Sequence, residues 1–232
     1  MKHVFFRIFI SIFCFSNTLL VLAQNEKAEL IYVYDPLCTF SYGFNPVVEK
    51  LQAELKDSLN FTLMSGGLAT GAWSASIKDA YPGLKKEIAK IKTVSSSEFS
   101  KEFMALVDSG TYVYNSDIPA RALMVFKALK PEKAFEFGLA IQKALFVKAL
   151  DLNNINTYLD LIRPYDINPM EFSLRFQNSK YQKLAETEFQ TTALMGADSF
   201  PCLILKKNGK KVIISKGYKP YDDIKKLVVE NL

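Results

Sequence analysis

Cys38 stands where a run of strand-forming residues gives way to a helix, in the segment Y-V-Y-D-P-L-C-T-F-S-Y-G-F-N-P. A thiol at the first turn of a helix faces unpaired backbone N–H groups and the positive end of the helix dipole. Both favour a thiolate. Cysteine acidity rises at such places, so a nucleophilic sulfur with a pKa below its free value is expected. The shift is expected to be modest, because no lysine or arginine lies nearby and Asp35 opposes it.

The residues missing from the chain narrow its chemistry further. The first 23 residues read as a signal peptide that is removed. Lys2 and Arg7 precede an apolar stretch from Ile8 to Leu22, and Val21-Leu22-Ala23 places small residues before Gln24. The stretch is short and interrupted by Ser11, Ser16, Asn17 and Thr18, which favours cleavage over an uncleaved membrane anchor. The sole histidine, His3, leaves with this segment, as does Cys14. A mature chain without imidazole cannot build a Ser-His-Asp or Cys-His system. Two cysteines without histidine also make a zinc site improbable, and no metal is expected.

Loss of Lys2 and Arg7 lowers the formal charge of +5 by two. The remaining charges are interspersed, so no nucleic-acid partner is expected. No later segment is long and apolar enough to span a bilayer. Removal of the signal therefore leaves residues 24–232 as a single domain with no membrane span, periplasmic or secreted.

The elements that must position Cys38 follow from the patterning. Residues 30–34 (L-I-Y-V-Y) read as a buried strand ended by Asp35-Pro36. Phe44, Val47, Val48, Leu51 and Leu55 recur at helical spacing between about Ser41 and Lys56, with Pro46 expected to kink the helix near its first turn. A second strand is predicted from Phe61 to Met64, which completes a β-α-β unit within 28–65. The middle of the chain, 70–195, reads as mostly helical, with helices predicted over 97–108, 118–130, 132–150, 155–163 and 169–176. Cys202–Leu205 and Val212–Ile214 flank Asn208-Gly209, a strong hairpin signal, and a last helix begins near Tyr221, giving ββα over 198–232. Ser65-Gly66-Gly67 lacks the lysine and spacing of a phosphate loop and reads as a tight turn. Trp73 could line a groove, but packing is the expected role of a lone tryptophan.

D-P-L-C-T-F-S-Y-G-F, S-G-G-L at 65–68, I-P-A-R-A-L at 118–123 and S-F-P-C-L at 199–203 together resemble the DsbA-like branch of the thioredoxin superfamily. The resemblance implies an α/β thioredoxin-like fold with an inserted all-helical subdomain. It implies that Cys38 is the nucleophile of thiol–disulfide exchange and that Pro201 is the cis-proline packed beside it. Phe40, Tyr42 and Phe200 are then placed at the substrate, Phe200 through its backbone. Ser41 occupies the position of the family's resolving cysteine. A hydroxyl cannot break the mixed disulfide, so release needs an external thiol, of the substrate or of glutathione.

Cys202 reads either as a buried core residue, which is preferred, or as a thiol partner for Cys38. The function expected is an exported, isomerase-like or monothiol interchange protein acting on protein or peptide thiols and disulfides. It needs no bound cofactor, and glutathione would serve only as a co-substrate. The alternatives are a non-catalytic peptide-binding protein and, behind it, a glutathione-dependent transferase or isomerase.

Overall fold

The computed structural model describes residues 27–232. The signal-peptide reading of residues 1–23 therefore lies outside the described residues. β1 (Ala28–Tyr34), α1 (Thr39–Leu55) and β2 (Leu59–Ser65) form the opening unit, with β1 and β2 parallel. After a long helical passage, β5 (Cys202–Lys207) and β6 (Lys210–Lys216) return as a hairpin, and α10 (Tyr221–Glu230) closes the chain. The four strands make one sheet in the order β2-β1-β5-β6, in which β5 runs antiparallel to β1. The passage between them contains α2 (Ile77–Ala80), α3 (Leu84–Val94), α4 (Lys101–Ser109), α5 (Asp117–Leu129), α6 (Ala134–Phe146), α7 (Ile155–Leu161), α8 (Pro169–Gln177) and α9 (Ser179–Leu194).

This is the thioredoxin-like arrangement expected, with three corrections. The insertion is not all helical: β3 (Ala75–Ser76) pairs with β4 (Val113–Tyr114) in a two-stranded ribbon. Strands of two residues carry no alternation that a sequence could display. The helix predicted over 97–108 begins only at Lys101, because Ser100 is its N-cap and accepts from Phe103 N–H at 3.0 Å. The helix predicted over 132–150 divides into a 3₁₀ turn, Pro131–Lys133, and α6.

Alternation along the strands sorts the core. Leu30, Tyr32 and Tyr34 of β1 join Leu203 and Leu205 of β5 in the main core, to which Phe44, Val48 and Leu51 of α1 also belong. Ile31, Val33, Cys202 and Ile204 make a separate cluster with Ala197. In the insertion, Phe126 stacks on Phe137 with the rings 7° from parallel and 3.9 Å between their centres, a close contact between α5 and α6.

Two close approaches fix the helices around α1 and the sheet. A Cβ on Gly138 would lie 2.0 Å from Leu63 Cδ2, so glycine is what lets α6 lie on β2. A Cβ on Gly43 would lie 2.5 Å from Ile91 Cγ2, where α3 meets α1. Pro46 sits inside α1 and has no N–H for the Tyr42 carbonyl four residues before it. Ser97 Oγ donates to that carbonyl at 3.3 Å, so a side chain supplies the lost partner.

Candidate functional site

Cys38 is the N-cap of α1, with extended backbone (φ −79°, ψ 114°), and its sulfur accepts from Ser41 N–H at 3.4 Å. The turn entering the helix is closed by Cys38 N–H donating to the Asp35 carbonyl at 3.1 Å. The S–H faces the Phe200 carbonyl oxygen at 3.6 Å, and the Phe200–Pro201 peptide is cis. Residues 162 positions apart thus meet at the end of β1. The ring of Phe200 lies over Gly66, where a Cβ would come within 1.8 Å of it.

The electrostatics correct the sequence expectation. Cys38 retains only 8% exposure. Burial pushes its thiol up to about 11, the hydrogen bonds from Ser41 pull it down, and Asp35 pushes it up again. The helix N-terminus is present as expected, but loss of water around the sulfur outweighs it, and no cation compensates. Ser41 Oγ reaches no partner of good hydrogen-bonding geometry, yet it lies close enough to the sulfur to lower the thiol's pKa.

Asp35 is the residue the sequence undervalued. It is fully buried, and its two carboxylate oxygens accept from different segments: Leu37 N–H at 2.9 Å and Leu68 N–H at 2.8 Å. Burial raises its pKa to about 6, against the lowering effect of those amides and of Ser116. One carboxylate therefore fastens the turn before Cys38 to the loop after β2. Ser116 secures the same loop from α5, accepting from Ala69 N–H at 3.0 Å and donating its own N–H to the Ala69 carbonyl at 2.7 Å.

The other expected site residues divide. Phe40 is half-buried beside Lys90 of α3, with the ammonium 5.8 Å from the ring centre. Tyr42 is not at the site surface. It stacks on Phe146 at 4.8 Å and donates its hydroxyl to the Glu98 carbonyl at 2.9 Å, so it belongs to the core. Cys202 is a fully buried free thiol in the Ile31–Val33–Ile204 cluster, on the face of the sheet turned away from α1. The core reading of Cys202 therefore stands, and Cys38 is likewise a free thiol. Trp73 does not pack: it is 80% exposed, in the turn that follows the Gly66-Gly67 loop.

No protein-family model matches the sequence, and no curated protein matches it. Solved structures match it in shape. One described as a candidate protein disulfide isomerase from Nitrosomonas europaea superposes with a TM-score of 0.77 at 23% identity, over 88% of this chain and 97% of its own. The cytosolic disulfide reductase DsbM from Pseudomonas aeruginosa superposes with a TM-score of 0.70 at 20% identity, over 88% and 98%, and its structure with GSH also matches. A probable DsbA oxidoreductase from Streptomyces coelicolor gives 0.64 at 13% identity, over 88% and 89%. The likeness establishes the fold: a thioredoxin-like sheet carrying a helical insertion, as in DsbA-like proteins.

Proposed function

We propose that the chain is an exported thiol–disulfide interchange protein that works through Cys38 alone. The observation that carries this is the meeting of the Cys38 sulfur, at a helix N-terminus, with the carbonyl of Phe200 before Pro201. The Cys38 thiolate attacks one sulfur of a protein or peptide disulfide, forms a mixed disulfide and releases the other sulfur as a thiolate. An external thiolate then attacks the mixed disulfide, leaves with the substrate sulfur and returns the Cys38 thiolate. Ser41 cannot take this second role, so turnover depends on the concentration of that external thiol. Glutathione suits the part, and the matching DsbM structure holds GSH. A thiol raised to about 11 is almost entirely protonated at neutral pH, so the resting sulfur is slow and engagement of the substrate must help to expose it.

The test follows scrambled-disulfide repair by residues 24–232 at increasing glutathione. The expected rate rises with thiol and vanishes in Cys38→Ala. In Ser41→Cys it persists at low thiol, because a resolving sulfur has been restored. Equal rates in the parent and Cys38→Ala would overturn the proposal. The burial of Cys38 favours one second reading, a peptide-binding protein without turnover. That reading requires Cys38→Ala to retain client binding and cellular function.

A further inference from the structure

A buried chain of side chains spans the Cys38 turn from one end to the other. Gln142 of α6 donates through Nε2 to the Asp35 carbonyl at 3.0 Å, the same oxygen that receives Cys38 N–H. Its Oε1 accepts from Asn45 Nδ2 at 2.8 Å. The single proton of the Tyr32 hydroxyl is shared between two acceptors, the Ser41 carbonyl at 2.9 Å and, more weakly, Asn45 Oδ1 at 3.4 Å. Tyr32, Asp35, Ser41 and Gln142 are fully buried, and Asn45 keeps 2% exposure. The chain starts on the residue three before Cys38 and ends on the residue three after it.

We infer that Gln142 is a positioning residue for Cys38, through which the helical insertion holds both ends of the Cys38 turn. This rests on Cys38 being the reacting thiol of the proposed exchange. Gln142 suits the place because one amide can donate at one end and accept at the other, whereas a carboxylate or a hydrocarbon breaks the sequence of bonds. Buried groups of this kind are costly unless every member is paired, so the link is expected to be rigid. The other charged or titratable groups near the turn are Asp35, which the chain grips by its carbonyl, Glu87 of α3, which accepts from Thr39 Oγ1 at 3.3 Å, Lys90 beside Phe40, and the phenols of Tyr81 and Tyr114. The Tyr81 phenol is raised by burial and stays neutral in the range to be measured.

The experiment alkylates Cys38 with iodoacetamide from pH 7 to 10.5. The modified peptide is quantified by mass spectrometry so that Cys202 does not contribute. Variants are Gln142→Leu, Tyr32→Phe and the two combined, each with its thermal midpoint measured. Gln142→Leu is expected to slow alkylation at pH 8 about tenfold and to displace the pH profile upward, because a loosened turn weakens the Ser41 N–H bond to sulfur. Tyr32→Phe, which removes only a hydroxyl, is expected to give about threefold. The double variant should lose no more than twice what Gln142→Leu loses, because the two act in one chain.

A profile within twofold of the parent in folded Gln142→Leu would reduce Gln142 to packing and overturn the inference, whatever the thermal midpoint does. Losses that multiply in the double variant would also overturn it. Should Gln142→Leu not fold, an unchanged profile in Tyr32→Phe decides against it. Alkylation needs no turnover, so a protein that repairs no disulfides can still show this coupling.

Discussion

Cys38 and Asp35 share one buried turn, and charge on either makes charge on the other harder to hold. Burial disfavours charge on both, and an ionised Asp35 makes a Cys38 thiolate harder still to form. The folded pKa of Asp35, about 6, lies above the ~3.9 of an unfolded aspartate. Between those values the folded chain holds a proton that the unfolded chain has released, so stability falls as pH rises from about 4 to about 6. The contribution is on the order of 3 kcal/mol at most. In Asp35→Asn this slope should disappear from urea midpoints taken between pH 4 and 7, and Cys38 alkylation should begin at lower pH. At pH 4 the variant should also lose about 1–3 kcal/mol, since an amide offers one acceptor oxygen where Leu37 and Leu68 need two, and this deficit should shrink toward pH 7 as the parent's own stability falls. A slope that persists would place the titration elsewhere. The position of Cys38 was legible in the sequence, because a strand, a turn and a helix start are all local patterns. Its acidity was not, because the burial comes from Phe200 and other residues remote in sequence. Tyr42 misled for the same reason: it lies in the run around Cys38, but Phe99 and Phe146 turn it into the core.

Among the elements, α6 bears most directly on the site, since it supplies Gln142 and lies on β2 through Gly138. Gly138→Ala should cost about 1–3 kcal/mol, because the new methyl meets Leu63 Cδ2 and the Tyr34 hydroxyl. The urea midpoint would show this, and an unchanged midpoint would mean that α6 can slide without penalty. The hydrophobic repeats predicted α5 and α8 to within a residue or so, and the Asn208-Gly209 hairpin and both central strands as well. Asn168 caps α8 just where Pro169 opens it, accepting from Met170 and Glu171 N–H. α3 was hidden by its own lysines, although Leu84, Ile88 and Ile91 form a buried stripe. α9 buries only Tyr181, Ala185 and Thr192, and so few apolar positions give a weak periodic signal. Gln142 carried no mark in the sequence: among Leu139, Ile141 and Leu145 it reads as a polar interruption, and only the carbonyl it reaches gives it a purpose.

At the scale of the whole molecule, the sheet joins the two ends of the described chain, and the insertion must close over it. Glu188 of α9 makes much of that closure. One of its carboxylate oxygens accepts from Ser65 N–H at the end of β2, and the other pairs with Lys127 of α5. Both side chains are largely shielded, so Glu188→Ala should cost about 3 kcal/mol by leaving an ammonium and an amide without their acceptor. Chemical denaturation would measure it, and a loss below about 0.5 kcal/mol would show that solvent replaces the carboxylate. The union of strands from opposite ends was readable from β-α-β and ββα patterns, whereas this cross-brace, 123 residues apart in sequence, was not.

Among the described residues, the sheet order also leaves one flank of β6 unpaired. That strand exposes Val212 and Ile213, apolar residues with a strong β preference, along a line of backbone groups that another chain could match. Lys210 and Lys211 on the same strand, and its register irregularity opposite Leu203 and Ile204, set repulsion and a bend against such stacking. The lysines beside the Asn208-Gly209 turn thus guard this edge, and neutralising Lys210 and Lys211 is expected to promote self-association without touching Cys38, which lies at the other end of the strands.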